Sequence, residues 1–200
     1  MNPIDRATIV SFHKDRIADF GAGTPEALGW LTADSQRRRF EMLAEIGDLN
    51  DCTILDVGCG HGDMRAHLGE KFPRLRYAGI EQMEPFLQVA VERYGDLPDT
   101  VFYQGDFSTA VLPEFDFVLA SGALGYRSNE PDFVLHMITR LFACSSIGFG
   151  FNMLRRVPHP QGVLAAYEPD FIVAHCRELT SRVELHEGYL QDDFTVFMYH

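Results

Sequence analysis

The sequence predicts an α/β fold in which a mostly parallel β-sheet carries helices on both faces. Seven short apolar runs alternate with amphipathic helical stretches, and such alternation is typical of parallel sheets. The early runs are apolar throughout, as strands covered on both faces should be. Only three residues separate the last two runs. That is too short for a crossover helix, so one strand of this final hairpin is expected to run antiparallel to the rest.

The sequence pattern places the helices and strands of this fold along the chain. Helices are expected near residues 62–71, 84–93, 131–142 and 169–179, and a further one over 34–47 with Asp34 or Ser35 as its N-cap. We interpret residues 1–200 as a single domain, with 1–50 as an N-terminal helical cover over the ligand edge of the sheet and 51–200 as its core. Strands are expected at 53–58, 76–81, 101–106, 116–121, 146–152, 182–189 and 193–200.

Composition and charge exclude two classes of binding partner, nucleic acids and membranes. The net charge of −12 would repel a polyanion, so no nucleic-acid partner is expected. There is no run of 18 apolar residues and no secretory signal pattern at the start. No membrane partner is therefore expected, and we predict a cytoplasmic protein.

Cysteine and histidine spacing argues against a metal site. The four cysteines are scattered without a C-x-x-C pair, and the eight histidines lack ligand spacing. Neither a zinc site nor a disulfide framework is predicted. The histidines are expected at surface or capping positions.

A glycine-rich turn follows the first predicted strand, in the run ILDVGCGHGD (54–63). Glycines alternate from Gly58 to Gly62, and glycine lets a backbone approach a ligand closely and adopt positive φ. Turns that bind a pyrophosphate follow the pattern G-x-G-x-x-G. Here the third glycine comes one position early, and Asp63 and Asp56 flank the turn. These acids would repel a pyrophosphate, so the turn indicates a ligand with a positive centre.

Three acids extend this interpretation. Glu81 ends the second predicted strand and Asp106 ends the third, while Asp56 lies near the end of the first, and the spacings between the three are equal at 25 residues. Because the carboxyl ends of parallel strands meet at one sheet edge, the three carboxylates are expected to lie together. The second can bind a ribose diol, and the third can accept a hydrogen bond from a base amino group. A cationic, phosphate-free nucleoside fits this set, and S-adenosylmethionine is such a molecule.

With these residues the sequence resembles the class I S-adenosylmethionine-dependent methyltransferase family. The motifs are LDVGCGHG (55–62), GIE (79–81), GDF (105–107) and FDFVLASGALGY (115–126), and the resemblance covers about residues 50–200. It implies a Rossmann-like, doubly wound, seven-stranded sheet whose last strand is antiparallel. It also implies a cofactor site in which the glycine turn approaches the methionine part. The residues implied in that site are Asp56, Gly58, Cys59, Gly60, Glu81, Gln82, Asp106, Phe107 and Ser121.

The N-terminal stretch LGWLTADSQRRRF (28–40) also resembles the lead-in of some small bacterial methyltransferases. The resemblance implies that Trp30, Gln36 and Arg39 close over the methionine end, with Arg39 pairing with its carboxylate. The alternative is a solvated basic face beside a core tryptophan.

Residues for the methyl acceptor are expected in the loops after the fourth and fifth strands. Tyr126 lies in the first loop and His159 in the second, and we predict these two as the catalytic side chains. His159 would be a general base, which is needed only if the acceptor holds its proton tightly. The alternative is that His159 is simply exposed to solvent on its loop. No N/D-P-P-Y/F turn follows the fourth strand, which argues against exocyclic amines of nucleic acid. A small-molecule acceptor, methylated on oxygen or nitrogen, is therefore predicted.

Four alternatives stay open at this level. The cofactor could serve non-methylating chemistry, either a cyclisation or the transfer of its aminocarboxypropyl group. The chain could be a catalytically silent partner subunit that binds S-adenosylmethionine. A nicotinamide-dependent reductase and an α/β domain without this ligand are the other two.

Overall fold

A computed structural model describes residues 1–159 and 161–200 of the chain. The strands are β1 (Thr53–Val57), β2 (Arg76–Glu81), β3 (Thr100–Gln104), β4 (Phe115–Ala120), β5 (Ser145–Leu154), β6 (Arg182–Glu187) and β7 (Asp193–Tyr199). The helices are α1 (Pro3–Phe20), α2 (Ala33–Leu43), α3 (Asp63–Lys71), α4 (Glu84–Tyr94), α5 (Phe133–Phe142) and α6 (Pro169–Leu179). Every predicted strand and helix is therefore present, with its bounds moved by a few residues.

The seven strands form one sheet in the order β3-β2-β1-β4-β5-β7-β6. The pairs among β1 to β5 are parallel, whereas β7 is antiparallel to both β5 and β6. The prediction of a seven-stranded sheet with an antiparallel last strand is confirmed. Because β7 runs in the opposite direction, its first residue, Asp193, pairs with the last residue of β5, Leu154. The start of β7 thus reaches the carboxyl edge of the parallel strands.

Alternate side chains of the strands build a hydrophobic core on each face of the sheet. Ile54 of β1 packs with Leu43 of α2 and Leu68 of α3 on one face. Leu55, the next residue, packs with Ile138 of α5 and other apolar side chains on the opposite face. This period of two is what a strand covered on both sides requires, and it confirms helices on both faces.

The N-terminal region differs from the prediction in two ways. Residues 3–20 form the long helix α1, which the sequence reasoning did not identify. The N-cap of α2 is Thr32, whose hydroxyl accepts from the Ser35 backbone N–H at 3.1 Å, so the prediction of Asp34 or Ser35 was wrong. Asp34 instead lies in the first turn and pairs with the Arg37 side chain. An acid there is favourable to the helix dipole without being the cap.

Helix α1 is bonded to the loop that follows β4, at the carboxyl edge of the sheet. The buried Asp5 side chain accepts from the Ser128 hydroxyl at 2.6 Å and from the Asn129 backbone N–H at 2.9 Å. Helix α2 packs against a face of the sheet, and its residues Gln36 and Arg39 also line the cavity at the ligand edge. The interpretation of residues 1–50 as a cover over this edge stays a prediction. Within residues 1–159 and 161–200, no helix combines the length and the apolar character needed to cross a lipid bilayer.

Candidate functional site

A cavity of about 360 Å³ lies at the carboxyl ends of the parallel strands, beneath α1. Twelve of the thirteen side chains or turn residues predicted for the site line it. The twelve are Trp30, Arg39, Asp56, Gly58, Cys59, Gly60, Glu81, Gln82, Asp106, Phe107, Ser121 and Tyr126.

The glycine turn adopts a backbone that other residues do not tolerate. Gly58 has φ +69° and Gly60 has φ +54°, both in the left-handed region that favours glycine. A Cβ atom on Gly58 would lie 2.8 Å from the Cβ of Ala123, in the loop after β4. The turn is thus tightly apposed to that loop and leaves the cavity open beside it.

Glu81 ties this turn to the end of β2. One carboxylate oxygen accepts from the Gly60 backbone N–H at 3.0 Å, and the other accepts from the Met83 backbone N–H at 2.7 Å. Burial raises the pKa of the Glu81 carboxyl, although these backbone hydrogen bonds act in the opposite direction. A carboxylate has about four acceptor positions. Glu81 therefore keeps an acceptor position beyond its backbone bonds, and it lines the cavity.

Asp56 is almost fully buried on β1 and accepts a hydrogen bond from the Tyr77 hydroxyl at 2.6 Å. Burial raises the pKa of Asp56 from 3.8 to about 7, while the Tyr77 bond lowers it and the nearby Glu81 raises it. A buried carboxyl with this pKa gains most from a cationic partner, because a positive charge in the cavity stabilises its ionised form.

Several polar atoms in the cavity wall are buried without a partner in the described part of the chain. They are Trp30 Nε1, Gln82 Oε1, Ser121 Oγ and Asn152 Oδ1. Buried polar atoms are nearly always hydrogen-bonded, so each of these calls for an explanation. Asp106 differs, since it accepts from the Ser108 backbone N–H at 2.9 Å. A polar ligand in the cavity is one such explanation.

Arg39 is buried and has a partner within the chain. Its guanidinium donates to the Asp193 carboxylate and lies 4.7 Å over the Trp30 ring. The alternative of a solvated basic face is therefore wrong for Arg39. Burial raises the pKa of Asp193, and Arg39 lowers it. This pair closes the side of the cavity that lies against β5 and β7.

Tyr126 lines the cavity together with His13, a residue that the sequence reasoning missed. The Tyr126 hydroxyl lies 2.7 Å from His13 Nε2, and His13 Nδ1 lies 3.0 Å from the Ala27 carbonyl oxygen. The signal was the spacing of Asp5, Ile9 and His13, which form the buried side of α1 at intervals of four residues. Two of the three are polar, so a search for apolar periodicity passes over them.

Three sequence interpretations need correction. His159 is exposed and is not among the described residues that line the cavity, so the geometry does not support it as a general base. His13 and His61 are buried rather than placed at the surface. Asp63 does not line the cavity and is bonded to Arg93 and Tyr94. The argument that Asp63 would repel a pyrophosphate therefore fails, whereas the one from Asp56 stands.

The described residues contain no group of three or more histidine, cysteine or acidic side chains placed to hold a metal ion. The four cysteines are free thiols.

Comparison with known proteins agrees with this geometry. A family model described as "Methyltransferase domain" matches residues 55–145, which include the glycine turn and the ends of β1, β2 and β4. Trans-aconitate 2-methyltransferase of Escherichia coli is 24% identical over 160 residues, covering 80% of this chain and 56% of that protein. The chain thus spans little more than half the length of such curated relatives.

Solved structures share the complete arrangement of elements. A magnesium protoporphyrin IX methyltransferase from Synechocystis PCC 6803, solved with bound S-adenosylhomocysteine, has a TM-score of 0.71 at 13% identity and covers 97% of each chain. Residues 55–145 thus match a methyltransferase domain, and the whole chain shares the fold of these methyltransferase structures. Another structural neighbour shows that this methyltransferase fold also serves other chemistry. The [4+2]-cyclase SpnF has a TM-score of 0.57 at 20% identity, covering 76% of this chain and 59% of its own.

Proposed function

We propose that this chain binds S-adenosylmethionine in the cavity and transfers the methyl group to an oxygen or nitrogen atom of a small molecule. The observation that supports this most is the buried Asp56 beside the glycine turn, because its raised pKa favours a cationic ligand. Glu81 and Asp106 lie in the same cavity. The unpartnered Gln82 and Ser121 atoms also fit a ligand that carries many hydrogen-bonding groups.

Each part of the cofactor has a candidate partner. We infer that Asp56 binds the methionine ammonium group and that Glu81 binds the ribose hydroxyls. Asp106 accepts from the adenine amino group, with Gln82 and Phe107 beside the ring. Gly58, Cys59 and Gly60 lie along the methionine chain, and Ser121 lies next to it. Arg39 and Trp30 meet the methionine carboxylate with the guanidinium and indole N–H groups that Asp193 leaves free.

When bound, S-adenosylmethionine supplies a methyl group on a positively charged sulfonium. The protein's part is to hold the acceptor atom in line with that methyl group and to exclude water. Helix α1 covers the carboxyl edge and so shields the cavity from solvent. Tyr126 faces the cavity from the loop after β4 and can hydrogen-bond to the acceptor.

The acceptor is proposed to lie against β5 and β7. Asn152 of β5 presents its unpartnered Oδ1 there, and Gln191 and Asp192 border the same side. A cavity of about 360 Å³ is at the small end of the range for ligand pockets, which supports a small-molecule acceptor. The net charge of −12 argues against a nucleic-acid acceptor. We place the activity in the cytoplasm.

Cofactor-dependent chemistry without methyl transfer is the second candidate. The similarity to the [4+2]-cyclase SpnF supports it, because that protein has the same fold and a different reaction in its title. The two candidates differ in their products. A methyltransferase converts S-adenosylmethionine to S-adenosylhomocysteine, whereas aminocarboxypropyl transfer leaves methylthioadenosine and a cyclase leaves the cofactor unchanged.

The test combines binding with a transfer assay. Calorimetry should show that S-adenosylhomocysteine binds and that NAD does not. Asp106→Asn should weaken binding about tenfold, since a hydrogen bond to a charged group contributes about 1.5–3 kcal/mol. Cofactor labelled on its methyl group is then incubated with fractions of a bacterial small-molecule extract. Label in a new small molecule supports the proposal, and binding of NAD in place of S-adenosylhomocysteine would refute it.

A further inference from the structure

The pair formed by His13 and Tyr126 has a defined direction of hydrogen bonding. A carbonyl oxygen can only accept, so the contact between His13 Nδ1 and Ala27 places a proton on Nδ1. In the neutral imidazole, Nε2 then carries a lone pair. The Tyr126 hydroxyl, 2.7 Å away, must donate to it. The phenol oxygen then keeps its own lone pairs as acceptors, and Tyr126 is among the residues that line the cavity.

Packing holds both rings in place. His13 lies edge-on to Phe12 and to Phe86 of α4, with ring centroids 5.0 and 5.1 Å away, and it is 5% exposed. The Tyr126 ring is also edge-on to His13, at 5.8 Å. The bonds from Asp5 to Ser128 and Asn129 fix α1 against the same loop. The Nε2 lone pair is therefore preorganised towards Tyr126.

We propose that His13 takes up, through the Tyr126 hydroxyl, the proton that the acceptor loses on methylation, so that the acceptor is a hydroxyl or amine and not a carboxylate. This inference rests on the proposed methyltransferase function. A carboxylate is already ionised near neutral pH and has no proton to release. A hydroxyl or ammonium group keeps its proton there, and a positioned base then contributes to the rate.

The transfer balances in atoms and charge. A lone pair on the acceptor oxygen or nitrogen forms a bond to the methyl carbon, and the carbon–sulfur bond breaks with its electron pair left on sulfur. The acceptor proton passes to the Tyr126 oxygen while the Tyr126 proton passes to His13 Nε2. The product imidazolium keeps its Nδ1–H bond to Ala27 and later loses the extra proton to solvent. Tyr126 contacts the acceptor directly, whereas His13 acts through Tyr126 and is a positioning residue.

The surroundings of the pair keep His13 and Tyr126 in the resting protonation states from which the transfer starts. Burial lowers the pKa of His13, and Arg16 on the same helix lowers it further, against the bond to Ala27. Burial raises the pKa of Tyr126, as does Glu81 at the end of β2. The buried His61 is the other titratable side chain near the pair, and it is edge-on to Phe86 with ring centroids 5.2 Å apart. His13 is thus neutral at pH 7 and able to accept a proton, and Tyr126 stays protonated and able to donate one.

The experiment compares His13→Gln and Tyr126→Phe with His136→Gln, which changes an exposed histidine on α5. Single-turnover transfer to the active extract fraction is measured from pH 5 to pH 9, and S-adenosylhomocysteine affinity is measured by calorimetry. Wild type should lose activity only at a pH below the ordinary histidine value of about 6.5, because burial lowers the pKa of His13 and delays its protonation. His13→Gln should transfer about 100-fold more slowly, without this acidic fall and with affinity within about threefold.

Nuclear magnetic resonance of ¹⁵N-histidine protein with S-adenosylhomocysteine gives a second readout that needs no acceptor. We expect a neutral, Nδ1-protonated His13 at pH 7.5, and the Nε2-protonated form or an imidazolium would overturn the proposal. An unchanged rate and acidic fall in His13→Gln, or a methyl ester as the product, would also overturn it while leaving the transferase function intact. Binding of S-adenosylhomocysteine with no transfer to any fraction would refute both.

Discussion

Replacing Asp56 by asparagine should make the protein more stable and its cofactor binding weaker. The side chain is buried on β1, and its pKa of about 7 means that the empty protein resists its ionisation. Asparagine has the same shape, and its carbonyl can still accept from the Tyr77 hydroxyl, 2.6 Å from Asp56. The substitution therefore removes the charge and keeps the hydrogen bond.

The magnitude follows from the pKa shift. A rise from 3.8 to about 7 corresponds to about 4 kcal/mol at about 1.4 kcal/mol per unit. Because the pKa of Asp56 is raised in the folded protein, its ionisation costs no stability below pH 3.8. The free energy of unfolding then falls as the pH rises, and the full cost is present above about pH 7. Burying an incompletely bonded amide costs about 1–2 kcal/mol. Asp56→Asn should thus be about 2 kcal/mol more stable at pH 8, a melting-temperature rise of about 4–8 °C.

Urea unfolding at pH 8 and pH 5 measures this effect, with the exposed Asp96→Asn as the matched control. The gain should shrink at pH 5, where Asp56 in the wild type is already protonated. Affinity for S-adenosylhomocysteine should fall about 10- to 100-fold, because a hydrogen bond between charged groups contributes about 1.5–3 kcal/mol. A less stable variant at pH 8 that binds as tightly as wild type would refute the assignment of Asp56 as a buried partner for a cation.

Three further substitutions test the site. Glu81→Gln should weaken S-adenosylhomocysteine binding at least about tenfold in calorimetry, because one oxygen becomes a donor that faces backbone N–H groups; unchanged affinity would exclude the ribose role. Asp193→Asn leaves Arg39 buried without its counter-charge and should lower the free energy of unfolding in urea by about 3 kcal/mol, and a loss under about 1 kcal/mol would show an already solvated pair. Gly58→Ala should lower the free energy of unfolding by about 2 kcal/mol or more in calorimetric melting. Gly188→Ala is the control, because Gly188 also has positive φ but open space around it, and it should lower that free energy by only about 1 kcal/mol. Equal losses would contradict the argument from the Ala123 contact.

The sheet and the cofactor side of the cavity were predictable because their signals are local in the sequence. A strand shows its period within a few residues, and a strand–helix unit repeats the same step along the chain. Asp56, Glu81 and Asp106 follow from this repetition once the parallel order is assumed. The wall they form is then a consequence of topology.

The other side of the cavity could not be predicted, because it depends on contacts between distant parts of the chain. Arg39 meets Asp193 across 154 positions, and His13 meets Tyr126 across 113. No local pattern indicates either pair. His159 has the chemistry of a base, but a residue type does not determine where a loop carries it. The path of the backbone decides that, and it leaves His159 exposed.

Because β7 runs antiparallel to β5, the turn before it reaches the cavity at a place far from the acids on β2 and after β3. The connection at residues 188–192 joins β6 to β7 and borders the side of the cavity proposed for the acceptor, yet it lies far from Glu81 and Asp106 along the sheet order. Under the proposed function, substitution or lengthening of this five-residue turn should change which acceptors bind while the proposed nucleoside site keeps its form. Directed evolution towards new acceptors should therefore start there.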